Sequence, residues 1–567
     1  MRSLATVAIL AAAFLFGARA IYEPDLWYHL AQGRELAAGH LIRSNFFSFT
    51  FPDYPQPYVS WLFDLTAYLA WSAGGSAGIQ VLHIALLAAA FTVLYAAART
   101  LAGTVSSAAA ASGAAVAVLG LGLFVIEPRA IPRPHLVSFV GLAAVSWLIA
   151  RAIAARRARP LVWSVPLIVV WSNFHVESLF GAAFLGLFAA AELVQPAALP
   201  RAEARRALGI AIVCAIATLA TPYGWGGVRY LFENAGVPSL LQVAELQPPY
   251  LPAYRAFFVY CGVWVVLLLS QPRQLRLWEI VTGVVFAALG FRYLRLTPLV
   301  VFVTAPMLAA RVALFIANGL DRRAVAVTAL AAAAVVARIP VPTLFTTWRI
   351  GGDAAAPAAF FSARAIQFAR TEGLSGPLFN SNNLGGFLAW SLPPPARIFQ
   401  DSRLQAYPRA HFEAILRASR SQSEWDQLVA PVDWAMVSLA RPVELSGAGR
   451  FPRPDWAIVF WDEAVEVLVR RSGAHAGLAA ARDYTLLTPD ANALVLAADL
   501  KTERRGRLLL EAERNRLDDP DAFTATAIRC LSGEDAPACA DLDRLGAERP
   551  SLAEAVRQVQ AMRAKLP

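Results

Sequence analysis

Ionisable side chains that stand just outside long apolar runs come first, because such groups at a bilayer boundary are expensive unless they are paired or used. Asp25 follows the first apolar run, with Glu23, Trp27, Tyr28 and His29 beside it. Glu127, Arg129, Arg133 and His135 follow a later run, and His175 and Glu177 another. Glu245 stands in a long polar stretch, and Arg292 and Arg295 complete the set. Guanidinium groups grip phosphate oxygens bidentately, and a carboxylate accepts the proton of an attacking hydroxyl. Together they suit chemistry on a phosphate-linked substrate held at a membrane surface. A plainer reading of Asp25 stands beside this one: it caps a helix beginning at Leu26, while Trp27, Tyr28, Phe46, Phe47 and Phe49 form an interfacial aromatic belt. For Glu177 and Glu245, pairing that pins the loops fits equally well. His175 and Glu177 offer two metal ligands without a third nearby, too few for a metal centre. His83, inside an apolar run, reads as a hydrogen-bonded core residue.

The elements that must position these groups are legible in the composition. Of 567 residues, 57% are hydrophobic and 16% charged, against about 25% charge in a soluble domain. Apolar runs long enough to span a bilayer fall at about 4–20, 78–98, 104–126, 135–153, 161–172, 178–194, 208–221, 254–271, 276–291, 296–316 and 324–339. The expected fold is therefore a polytopic α-helical membrane protein, with about eleven transmembrane helices in residues 1–339 and a first outer loop at 21–64. Basic clusters separate the runs: Arg151, Arg156, Arg157 and Arg159; Arg201, Arg205 and Arg206; Arg273 and Arg276; Arg322 and Arg323. With a cytoplasmic N-terminus all of them lie inside, as the Lys/Arg bias requires, and an odd number of crossings puts the tail outside. These loops account for the net charge of +10. No basic stripe with interleaved aromatics points to nucleic acid. Met1–Ala20 ends in Ala18-Arg19-Ala20, which resembles a signal-peptidase site; the polar, aromatic loop behind it favours an uncleaved anchor.

Beyond residue 340 the polarity is ordinary. Strand-like runs at Pro377–Asn380, Arg397–Gln400, Trp434–Ser438, Trp456–Phe460 and Val465–Val469 alternate in part with helical patterns, and Trp461-Asp462-Glu463 reads as a hairpin turn. This predicts an extracytoplasmic α/β domain at 340–500 and a helical segment at 501–567, with Leu508–Arg516 and Leu552–Leu566 as a helical hairpin. Asp401 and Arg403 are expected to pair within the tail. Cys214 and Cys261 read as core residues, and Cys530 and Cys539 as either a disulfide or two free thiols. No P-loop, dinucleotide fingerprint or nucleophile motif occurs.

The run Pro24-Asp25-Leu26-Trp27-Tyr28-His29-Leu30, with Gly33, Gly39, Phe47-Ser48-Phe49-Thr50 and Trp61-Leu62, resembles a bacterial family of integral-membrane proteins in the GT-C glycosyltransferase superfamily. Relatives of that family include protein O-mannosyltransferases and aminoarabinose transferases of lipid A. The resemblance continues through Asn173-Phe174-His175, Thr221-Pro222-Tyr223-Gly224, Glu245, Arg292, Asn380–Phe387 and Phe399-Gln400-Asp401-Ser402-Arg403, covering the chain to about Arg471. It implies a multi-pass protein of the bacterial inner membrane that moves a sugar from a polyprenyl-phosphate carrier to an envelope acceptor. Asp25 matches the essential acidic residue of that superfamily, acting as general base with inversion at the anomeric carbon, and Glu23 is a neighbouring candidate. Trp27, His29, Arg129, Arg133, His175, Glu177, Glu245, Arg292 and Arg295 are the expected substrate-binding residues. Membrane lipids and the lipid-linked sugar are the expected partners. A divalent metal remains open, without a clear ligand set. One departure stands out: family members commonly carry His-Glu before the Trp that matches Trp61, and this chain has Val59-Ser60. A transporter of lipid-linked saccharides, or a non-catalytic relative serving as a binding platform, is the alternative.

Overall fold

The computed structural model describes residues 2–19, 21, 23–56, 58–234, 243–250, 254–317, 361–392, 396–439, 449–533 and 535–564. The chain divides into two compact units. The first comprises Met1–Arg43 and Gln56–Ala355, the second Ser44–Pro55 and Ala356–Pro567.

The first unit is helical, as apolar segments that must satisfy their own backbone groups require. Its helices are α1 (Arg2–Gly17), α2 (Asp25–Ala37), α3 (Trp61–Ala102), α4 (Ala108–Ile126), α5 (His135–Ala155) and α6 (Ser164–Phe174). They continue as α7 (Ser178–Val194), α8 (Arg201–Ala217), α9 (Trp225–Asn234), α10 (Arg255–Leu269), α11 (Leu277–Arg292) and α12 (Thr297–Ala317). Apart from the run at 324–339, which lies outside the described residues, each expected apolar run is helical over most of its length. By length and composition, however, 4 helices among the described residues can cross a membrane: Trp61–Ala102, Ala108–Arg129, His135–Ala155 and Leu294–Ile316. The expected count of about eleven is thus not established. The shortfall is one of length: α6 has 11 residues, a rise of about 16 Å against a hydrocarbon core of about 30 Å.

Helix α3 has 42 residues and starts well before the expected span at 78. It bends at Gly74 and Gly75, and Gly75 has φ +55°, which a glycine adopts without strain. The segment before the bend packs against α2. Their close approach explains Gly33: a Cβ there would lie 2.1 Å from the Asp64 carbonyl oxygen. Around this pair α12 packs against α3, α4, α5 and α11, with Phe139 stacked on Phe302 at 4.8 Å in the core.

The second unit is built on a four-stranded sheet of order β1-β2-β4-β3, from Leu378–Asn380, Trp434–Ser438, Trp456–Trp461 and Val465–Arg470 in chain order. β1 pairs parallel with β2, and β4 pairs antiparallel with β2 and β3. The expected turn at Trp461–Glu463 joins β3 to β4, with Asp462 Oδ1 accepting the N–H groups of Ala464 and Val465 at 2.9 Å. Arg397–Gln400, expected as a strand, is not one. It makes only an isolated parallel bridge, Ile398 donating to the Phe47 carbonyl at 3.0 Å and accepting from the Phe49 N–H at 3.1 Å. Phe399 turns to side chains: its N–H donates to Asn380 Oδ1 at 2.8 Å, and its carbonyl accepts from Ser48 at 3.1 Å and Thr50 at 2.9 Å. The tail after residue 501 holds helices at Arg505–Asp518, Phe523–Ser532, Ala536–Glu548 and Ala553–Arg563 rather than a single hairpin. Trp461, Leu487, Leu508, Ala512 and Ile528 share one core cluster, so these helices complete the core that the sheet begins. Cys530 and Cys539 form a disulfide, and Cys214 and Cys261 are buried free thiols.

Candidate active site

The segment between α1 and α2 turns at Glu23, whose carboxylate accepts the N–H of Asp25 at 3.0 Å. Pro24 occupies the cap position of α2 without a side-chain bond. The helix start is therefore held by Glu23, while the Asp25 carboxylate lies 3.0 Å from Arg133. This corrects the plainer reading of Asp25 as a cap, and a carboxylate in the first turn also suits the helix dipole.

Arg133, in the turn between α4 and α5, is the hub of an ion-pair network. It reaches Glu23 at 2.7 Å and Glu245 at 3.1 Å as well as Asp25. Glu245 also accepts from Arg129 at 2.7 Å and lies 3.7 Å from Arg295. Arg295 lies 3.6 Å from Glu177, which faces His175 at 3.4 Å. His175 is oriented by Ser138 at 2.9 Å, which in turn accepts from Trp171 at 3.1 Å. The tertiary structure thus joins Asp25, Arg129, Arg133, His175, Glu177, Glu245 and Arg295, residues from five separate stretches of sequence.

Burial alone would raise every carboxyl in this network. For Glu23 burial prevails, and its carboxyl sits above the usual range, with Asp25 adding to the rise and Arg133 opposing it. For Glu245 burial is overcome by Arg295, Arg129 and Arg133, which hold its carboxyl well below that range. Glu177 is brought down to about 2 against its burial, by His175 and Arg295. Arg133 stays firmly charged because Asp25, Glu23 and Glu245 outweigh its desolvation.

The remaining expected site residues are placed differently. Trp27 is 2% exposed and packs edge-on against Trp71 at 5.5 Å, a contact between α2 and α3. His29 is buried and bonds through Nδ1 to Asp64 at 2.7 Å. Asp64 also accepts from Tyr58, from Ser60 at 3.2 Å and from Gln32 at 3.3 Å. The Tyr58–Ser60–Asp64 grouping was missed in the sequence. The signal for it was an acidic residue one helical turn after Ser60, at the position where Val59-Ser60 departs from the family pattern. Arg292 is exposed and lies over the Tyr293 ring at 4.8 Å. His83 is buried, and the Ala130 backbone acts on its ring without a hydrogen bond of normal geometry. No group of 3 or more His, Cys, Asp and Glu side chains among the described residues is placed to hold a metal ion.

No protein-family model and no curated protein matches the chain. Among solved structures it is similar to the archaeal oligosaccharyltransferase AglB from Archaeoglobus fulgidus in complex with an inhibitory peptide and a dolichol-phosphate. That similarity has 11% identity and a TM-score of 0.49, over 76% of this chain and 69% of that one. It is also similar to ArnT from Cupriavidus metallidurans bound to undecaprenyl phosphate, at 15% identity and a TM-score of 0.47, over 82% of this chain and 97% of that one.

Proposed function

We propose that this protein is a membrane-embedded glycosyltransferase that takes a sugar from a polyprenyl-phosphate carrier and passes it to an extracytoplasmic acceptor of the cell envelope. One observation carries the reading: a carboxylate at a helix start, Asp25, converges on Arg133 within a network that brings in Arg129 and Arg295. In the proposed reaction an acceptor hydroxyl attacks the anomeric carbon and transfers its proton to Asp25. The bond from that carbon to the phosphate oxygen breaks with inversion, and the electron pair leaves with the polyprenyl phosphate. Arg133, Arg129 and Arg295 stabilise the departing phosphate in competition with Glu245, and the exposed Arg292 meets the carrier near the surface. The Cys530–Cys539 disulfide supports an extracytoplasmic tail, since disulfides persist in oxidising compartments.

The test is transfer of radiolabelled sugar from a panel of bacterial polyprenyl-phosphate donors by purified protein in lipid, wild type against Asp25→Asn. Loss of a general base lowers such a rate by about 10²–10⁴-fold. Undiminished transfer by a normally inserted Asp25→Asn protein removes the base assignment, and no transfer by wild type across the panel removes the transferase reading.

A further inference from the structure

A cavity in the first unit shares Glu23 with the site just described. It has a volume of about 230 Å³ and is bounded by Arg19, Glu23, Glu127 and His83, with Phe16 and Pro132 among its apolar walls. Arg19 is held to Glu127 at 2.6 Å, yet its Nη2 is buried without a hydrogen-bond partner. His83 is 4% exposed. The backbone of Ala130 and the charge of Arg19 act on its ring, but neither nitrogen makes a hydrogen bond of normal geometry. Buried polar groups left in this state cost free energy that a ligand can return.

We infer that this cavity is a subsite for a neutral, polyhydroxylated six-membered ring, one sugar residue of a substrate. Its attribution to a substrate rests on the transferase reading; the ring binding itself does not. The charges explain why the ligand is neutral. Arg19 and Glu127 neutralise each other, and Glu23 is already paired with Arg133 at 2.7 Å, so no net charge draws in an ion. The polar atoms explain the hydroxyls: the Arg19 Nη2 donates, the carboxylates accept, and an imidazole ring nitrogen can do either. Apolar walls beside them receive the C–H faces of the ring. Size agrees, because a cavity of about 150 Å³ admits one benzene ring, and the larger volume here leaves room for substituents. The shared Glu23 puts such a ring next to Asp25, whose N–H that carboxylate holds.

The experiment is saturation-transfer NMR of full-length protein in lipid nanodiscs with methyl glycosides of common hexoses, N-acetylhexosamines and pentopyranoses. The expected result is saturation transfer to at least one glycoside. It is abolished by the cavity-filling Ala130→Phe and independently by Ile131→Trp, and weakened several-fold by His83→Leu. No transfer to any glycoside, or a signal unmoved by both filling variants, overturns the proposal. So does displacement of the glycoside by inorganic phosphate, which marks an anion site. A short-chain prenyl-phosphate sugar added second separates the sources: displacement assigns the ring to the donor, and simultaneous binding assigns it to the acceptor. The signal is read without turnover, so its failure is distinct from failure of the transfer assay.

Discussion

Arg133 and Asp25 stand 3.0 Å apart, and the same guanidinium nitrogen is 2.7 Å from Glu23. A single cation therefore fixes the carboxylate proposed as base and the carboxylate that holds its helix start. Replacing it with the neutral Arg133→Gln leaves buried acids unbalanced, a change that costs about 3–5 kcal/mol when a buried pair is broken. Transfer should fall by about 10²-fold or more, and the thermal midpoint should drop. The double variant Glu23→Gln/Arg133→Gln should recover part of the midpoint but not the transfer. Transfer at wild-type level in Arg133→Gln would show that this cation serves the fold alone.

His29 and Asp64 form a second buried pair, with Tyr58, Ser60 and Gln32 completing the acceptor positions of the carboxylate. This pair holds α2 to the first turn of α3. Asp64→Asn and His29→Gln should each destabilise the protein, and a double-mutant cycle on the denaturation midpoint should yield a coupling of about 1–3 kcal/mol. Strict additivity would mean that the two side chains are neighbours without interdependence.

In the second unit Asp401 and Arg403 are both fully buried and bonded to each other at 2.6–2.9 Å. Arg403 also donates to Asn45 at 2.8 Å, and Asn45 donates to the Ala406 carbonyl at 2.9 Å. Arg403→Ala should cost about 3–5 kcal/mol by stranding Asp401. It should also release Ser44–Pro55 from its packing, so limited proteolysis should open new cuts between residues 44 and 55. An unchanged digestion pattern would contradict the role given to this arginine.

Glu466 lies on β4 opposite Val437 and Trp461, and its carboxyl is pushed from the usual 4.5 to about 7 by burial and then by Asp490. The folded unit thus holds a proton that the unfolded chain releases at lower pH. Stability from this group is greatest below about 4.5, declines as pH rises, and is lost above about 7. The difference is about 3 kcal/mol. Glu466→Gln should raise the unfolding midpoint at pH 8 and flatten its pH dependence between 5 and 8, as scanning calorimetry can measure. Parallel pH profiles for the two proteins would reject the linkage.

The sequence was most informative where a pattern is repeated along the chain. Apolar runs predicted helices, and α1 to α12 cover each described run, because hydrophobicity and helix formation are local properties. The strands around Trp434, Trp456 and Val465 were legible for the same reason, as was the turn at Asp462. Arg397–Gln400 misled because alternation alone does not say which partner satisfies a backbone. Ile398 keeps a single bridge to the backbone at Phe47 and Phe49, and Asn380, Ser48 and Thr50 take the bonds of Phe399 that would have extended it into a strand.

The sequence by itself determined the helical class, the apolar segments and the identity of the ionisable groups that stand between them. It also drew attention to Asp25, since an acid just past an apolar run is conspicuous in one dimension. Only the tertiary structure decided which acids share a cation. Glu23, Asp25 and Glu245 meet at Arg133 across more than a hundred residues of sequence. Trp27 turned inward to Trp71, and His29 to Asp64. It also assigned the middle of the first loop, Ser44–Pro55, to the unit formed by the tail. The physical reason is the same in each case. Burial makes an unpaired charge or backbone group costly, and which partner relieves that cost depends on neighbours in space that adjacency along the chain does not specify.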